Sequence, residues 1–254
     1  MTMRVSRIQA AENRETVINV ASRLFREHGF DGIGLKDLMK GAGLTQGAFY
    51  KQFASKDDLA AQASRRAMAS SFNRWSATAA ANPGDPFGAL ITLYLSPEHR
   101  EERMDGCPVV ALGSDAARQG ADVKASFEAG IREYLELLGS WVGGAEGEEP
   151  SGKAITILST MVGAVVLSRA VNDEQLSKQF LQAPVKSLMG LSAGAAQKDS
   201  SDHDGLSSRV PRPVENRPSE TSLPQKEERV SLDDIARQAQ PTPLHPQYGA
   251  HHHG

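Results

Sequence analysis

Gly43-Leu44-Thr45-Gln46-Gly47-Ala48-Phe49-Tyr50-Lys51-Gln52-Phe53, followed after Ala54 by Ser55-Lys56-Asp57-Asp58-Leu59, is the stretch on which the reading of this chain turns. Gly43 breaks a short apolar helix that runs from about Leu35 to Ala42, and Thr45 is a good N-cap for a third helix reaching Phe53. Ser55 then caps a fourth helix, with the carboxylate of Asp58 near its positive end. Two short helices joined at Gly43-Leu44-Thr45 have helix-turn-helix spacing. In that arrangement the second helix can enter a DNA major groove and its first side chains can reach base edges.

Upstream, Val17, Ala21, Leu24, Phe25 and His28 recur at helical spacing and make one apolar stripe. Gly29 closes that helix, because it can turn left-handed without a side-chain penalty. Phe30 is then placed to fold back on the last turn.

Downstream the pattern stays helical, with no alternation of period two. The fourth helix runs through Trp75 to about Ala80 and stops before the turn signal Asn82-Pro83-Gly84-Asp85-Pro86. Further helices are predicted over about 86–95, from Cys107-Pro108 onward, over about 122–142, over about 152–170 and over about 173–191. Gly143–Gly152 reads as a Gly/Glu-rich loop. The fold class is therefore all-α.

The chain has 254 residues, 39% of them apolar, and a formal net charge of -3. Residues 1–60 hold nine Lys/Arg against seven Asp/Glu, so the acidity comes from the rest of the chain. A slightly basic N-terminal unit fits contact with a polyanion. Seven of the thirteen prolines fall in residues 195–254, where too few apolar residues remain to offset ordering entropy. That segment is expected to be a disordered tail.

The single Cys107 excludes an internal disulfide framework and any multi-cysteine zinc site. The uncharged run Ala154–Ser168 is fifteen residues, shorter than the roughly 20 a membrane-spanning helix needs. There is no charged leader running into an apolar stretch. The expectation is a cytoplasmic protein with no membrane partner, no cofactor and no metal site. G-x-G-x-x-G, Walker, H-E-x-x-H and G-x-S-x-G patterns are missing, and no catalytic residue is assigned. A helical enzyme and a helical dimer that does not bind DNA remain the alternatives to a DNA-binding regulator.

In order and spacing, Phe25 and Gly29, then 43–53, then 55–59 resemble the TetR/AcrR family of transcriptional regulators. The resemblance implies an N-terminal three-helix DNA-binding domain (residues 10–58, its helix-turn-helix at about 34–53). It further implies a larger helical ligand-binding and dimerisation domain at 59–194. On this resemblance Thr45 contacts phosphate, Gln46 faces base edges, and Gly47 leaves room for close approach. Tyr50, Lys51 and Lys56 reach phosphates, and Lys51 can also reach a base. Ile33 and Gly34 depart from the family's frequent Thr and Ser before helix 2, which removes a hydroxyl, and Met39 replaces a small residue.

The implied partners are double-stranded operator DNA, a small-molecule inducer or electrophile, and a second copy of the chain. The last two predicted helices are the expected homodimer face, with Ile155, Leu158, Met161, Val162, Val165 and Val166 forming an apolar surface too wide for one buried side. Trp75, Phe127 and Tyr134 are candidate ligand contacts. Cys107, before Pro108 at a helix start, is a candidate sensor, because helix N-terminal amides favour thiolate. Gly106-Cys107 is similar to a branch of the family that includes electrophile and oxidant sensors.

Overall fold

The computed structural model describes residues 7–142 and 150–196, with side chains as far as 190. Its first helix, α1 (Arg7–His28), ends as the stripe and Gly29 predict. Gly29 takes φ 78, its N–H donates to the Phe25 carbonyl at 2.8 Å, and the rings of Phe25 and Phe30 lie 5.2 Å apart. This is the left-handed cap with its accompanying apolar contact.

Helix α2 (Leu35–Gly41) closes on a two-bond left-handed cap. Leu44 N–H donates to the Met39 carbonyl at 2.9 Å, Gly43 N–H donates to the Lys40 carbonyl at 3.0 Å, and Gly43 has φ 69. The crossed bonds satisfy carbonyls that a helix end leaves open and set the direction in which the chain leaves. Helix α3 (Gln46–Phe49) follows after four residues.

The expectation that α3 reaches Phe53 is corrected. Gln52 N–H and Phe53 N–H both donate to the Phe49 carbonyl, so the segment tightens into a turn. Phe49 and Phe53 turn into the core together and stack at 5.3 Å. Ser55 caps the next helix as predicted, its Oγ accepting from Asp58 N–H at 3.0 Å, while the Asp58 carboxylate accepts from Ala54 N–H at 3.0 Å.

Helix α4 (Lys56–Ala81) leads out of this small head and into the body. It is followed by α5 (Pro86–Tyr94), α6 (Pro97–Glu101), α7 (Pro108–Ala116), α8 (Ala121–Val142), α9 (Gly152–Ala170) and α10 (Glu174–Ala196). Helix α6 went unpredicted, although Ser96 caps it and Pro97 starts it. Among the described residues all regular structure is helical. Most of the predicted loop at 143–152 and most of the predicted tail at 195–254 lie outside the described residues.

Helices α4 and α8 carry the body. They approach closely at Gly130, where an added Cβ would come within 2.7 Å of Met68 Cβ. Helix α9 packs against α8 and α10, burying Ile157, Leu158, Met161 and Val165. By length and composition alone α9 is long and apolar enough to cross a membrane, at 19 residues and mean hydropathy 1.4. The fifteen-residue run counted from the sequence missed this, because the charges at Lys153 and Arg169 sit at the helix ends. Its packed face is that of a core helix.

Candidate nucleic-acid interface

The head is a small core beneath a polar face. Phe25, Leu38, Met39, Phe49, Phe53 and Leu59 are buried, so Met39 has been absorbed where a small residue was expected. Thr45, Gln46 and Gly47 before the buried Phe49, and Tyr50 and Lys51 between it and the buried Phe53, are exposed. Tyr50 is 68% exposed although its ring meets Phe49 edge-on at 5.2 Å. Such exposure of a large aromatic leaves its hydroxyl facing solvent, not the protein's own core.

Thr45 has the extended backbone of an N-cap (φ -83, ψ 152), but its side chain makes no capping hydrogen bond. Its hydroxyl is therefore available for an outside acceptor. A Cβ built on Gly47 meets nothing within 4 Å, so the fold itself does not require glycine there. Lys56, the first residue of α4, is half-buried and stands on the next element. Among the described residues neither Lys51 nor Lys56 enters an ion pair. Gly34 caps α2 through its backbone alone, and Ile33 is buried, as the lost hydroxyl implies.

In the body the structure separates the candidate ligand residues. Trp75 and Tyr134 are buried and stack on each other at 4.3 Å, with Tyr94 edge-on to Trp75 at 5.6 Å. The two rings pack on each other, and Trp75 also borders the small crevice beside Cys107. Phe127 stands elsewhere. It borders an open groove of about 990 Å³ between α7, α8 and α9, with Val110, Ile131, Leu135, Ile155 and Val166 also lining it.

Cys107 is the N-cap of α7 and is buried. Burial pushes its thiol up from its ordinary value, and this outweighs the downward pull of the neighbouring Tyr94 hydroxyl and the Val109 and Val110 amides. The expected activation by the helix start is thus present but overcome. Sequence reasoning saw the amides and could not see the burial, which α4, α5 and α9 supply. Beside the thiol is a crevice of about 10 Å³, which Trp75, Tyr94 and His99 also line.

Sequence reasoning also passed over the surroundings of Cys107. His99 is 5% exposed, and its ring meets the Tyr94 carbonyl at Nδ1 (2.7 Å) and the Cys107 N–H at Nε2 (3.2 Å). Arg169 of α9 donates to the carbonyls of His99, Arg100 and Glu102. The one local signal was the Ser96-Pro97 helix start, which fixes where His99 falls.

A three-helix head with an exposed third helix, continued by one long helix into an all-helical body, defines a helix-turn-helix protein. Residues 17–63 match the family described as bacterial regulatory proteins, tetR family. Residues 17–63 thus carry the N-terminal domain of that family, and the chain is similar to TetR/AcrR regulators. It is 25% identical over 130 residues to the HTH-type transcriptional repressor NemR of Escherichia coli (strain K12), covering 50% of this chain and 65% of that protein.

It is 32% identical over 92 residues to the HTH-type transcriptional regulator AcrR of Shigella flexneri, covering 36% of this chain and 43% of that one. The sequence matches thus span less than two thirds of either relative. The fold is similar to the crystal structure of E. coli NemR in its reduced form, with TM-score 0.60 and 21% identity, over 71% of this chain and 97% of that one. A TetR transcriptional regulator from Chloroflexus aurantiacus J-10-FL has TM-score 0.56 and 24% identity, over 76% and 97%.

Proposed function

We propose that this chain is a homodimeric cytoplasmic repressor that holds double-stranded operator DNA through residues 45–51 and releases it when a small molecule binds the body. The observation that carries the reading is the exposed row Thr45, Gln46, Tyr50 and Lys51 over buried Phe49 and Phe53. Gln46 is assigned base edges, because an amide both donates and accepts. Thr45, Tyr50, Lys51 and Lys56 are assigned phosphates, which fix register, and Gly47 gives the backbone its close approach.

Two copies are required to present two such faces at a fixed separation. Support for a dimer is the exposed apolar surface of α9 and α10. Leu167 and Leu176 are 47% and 40% exposed and line a groove of about 450 Å³ that includes Gly163, while Ile155 and Val166 face the larger groove beside Phe127. The inducer is assigned to the groove beside Phe127, whose lining is mainly apolar. The chemistry it supports is binding and release, in keeping with a family that is generally non-enzymatic.

The test is fluorescence anisotropy with the DNA upstream of the chain's own gene, over a salt series. Wild type should lose affinity steeply with salt, and Lys56→Gln should lower the slope by about one. Gln46→Ala should lose roughly 1–3 kcal/mol of preference over scrambled DNA. Affinity that ignores salt would leave a helical dimer without a DNA function.

A second reading, chemical release at Cys107, is favoured by the Tyr94 hydroxyl and the Val109 and Val110 amides beside the thiol, which favour thiolate. Release of DNA by N-ethylmaleimide in wild type and not in Cys107→Ser supports it, and equal behaviour of the two removes it.

A further inference from the structure

The segment from His99 to Cys107 links α6 to α7, and side chains from three other helices hold it. From the head, Arg23 of α1 donates through Nε and Nη2 to the Asp105 carboxylate at 3.0 and 2.9 Å. Arg26, one turn on, is buried and donates to the Gly106 carbonyl at 2.9 Å. From the body, Arg74 of α4 pairs with Glu102, and Arg169 of α9 donates to three carbonyls of the segment. The segment is a strap between head and body, and Gly106 lets it pass tightly, since a Cβ there would strike the Glu102 carbonyl oxygen.

His99 closes this strap on itself. The Tyr94 carbonyl only accepts, so Nδ1 must carry a proton. The Cys107 N–H only donates, so Nε2 must be bare. One neutral tautomer satisfies both ends, joining the last residue of α5 to the cap of α7. A second proton would set two donors face to face at Nε2.

We propose that His99 is an acid-sensitive pin of this strap, and that its protonation frees the first turn of α7 and loosens the hold on α1.

The groups facing the ring are Tyr94 on α5, Arg74 on α4, Arg169 on α9, and Glu102 and Cys107 on the strap itself. Arg26 of α1 stands one residue beyond, at Gly106. Burial, the largest cause, and the two arginines hold the imidazole below its ordinary range, while the Tyr94 carbonyl and Glu102 pull upward. An opened strap returns the ring to water and to an ordinary value of about 6.5. The opened form therefore binds the proton more readily. The closed form is fully held above that value and is lost as pH falls through it toward the lower, buried value. Between pH 7.5 and 5.5 the opened population rises by up to about tenfold on that linkage.

Hydrogen exchange of the full chain at pH 7.5 and 5.5, normalised to intrinsic rates, tests this. Amides of Cys107–Ala111 and of the last turn of α1 should lose protection by about tenfold at the lower pH. His99→Gln keeps an acceptor toward Cys107 and cannot titrate, and it should show the same protection at both values. Equal protection in wild type at the two values, or an equal loss in His99→Gln, overturns the proposal. If that variant does not fold, the imidazole signals of His99 decide the matter in wild type. Loss of protection must follow the titration of that ring, and a loss that follows another group overturns it.

Discussion

In the head, Phe25, Phe30, Phe49 and Phe53 are buried, while residues 45–47, 50 and 51, interleaved with them in sequence, stay exposed. In the body the aromatic side chains Trp75, Tyr94 and Tyr134 pack on one another, and the open apolar surface lies elsewhere, beside Phe127 and along α9. The head therefore presents placed polar groups on a minimal core. The body packs Trp75, Tyr94 and Tyr134 into a closed centre, and its open grooves are lined mainly by smaller apolar side chains. A mutation at an aromatic position has opposite meaning in the two regions: Tyr50 can be changed with little cost to folding, and Tyr134 cannot.

The sharpest way to break this contrast is Phe49→Ala. Removing a fully buried ring from so small a core should cost about 3–5 kcal/mol. Denaturant unfolding should show the head lost together with DNA binding, while the helices of the body persist. A body that unfolds in the same step would show that the head has no separate stability.

Next in size is Gly130→Ala on α8. The new methyl would meet Met68 Cβ at 2.7 Å, so α4 and α8 must part or Met68 must shift, at a cost of about 1–3 kcal/mol. Thermal unfolding should record the loss. Operator affinity changing alongside it would mean that the α4–α8 spacing is felt in the head.

The smallest effect is Gly34→Ser. The backbone there (φ -81, ψ 154) suits a capping side chain, and the nearest atom to a new Cβ, Asp37 Oδ2, is an ordinary 3.7 Å away. Stability should rise by a few tenths of a kcal/mol, read as a small increase in the unfolding midpoint. A decrease would show that the bare glycine at α2 serves something other than economy of capping.

Much of the head was legible because its decisive interactions are local. Gly29, Gly43, Ser55 and Asp58 act within five residues of themselves, and each does what its type and position imply. The length of α3 was misjudged because Phe49 and Phe53 are both buried in the core, with Arg14 of α1 over the Phe53 ring, which a local pattern does not carry. In the body the helices were legible from periodicity, and the sites were not. The amides at the start of α7 announce an activated Cys107, while the burial that reverses the outcome comes from residues up to sixty positions away. His99 failed to register for the same reason: its partners are a carbonyl and an amide, and neither has a sequence signature.

Helix α4 runs without a break through 26 residues, from Lys56 in the head to Ala81 at the exposed far end of the body. At 1.5 Å per residue it is a rod of about 39 Å. A tilt of about 5° at one end of such a rod displaces the other by about 3.4 Å, roughly the rise of a single base pair. At that length a small tilt made where α4 packs against α8 is magnified at its first turn, beside Ser55 and Lys56.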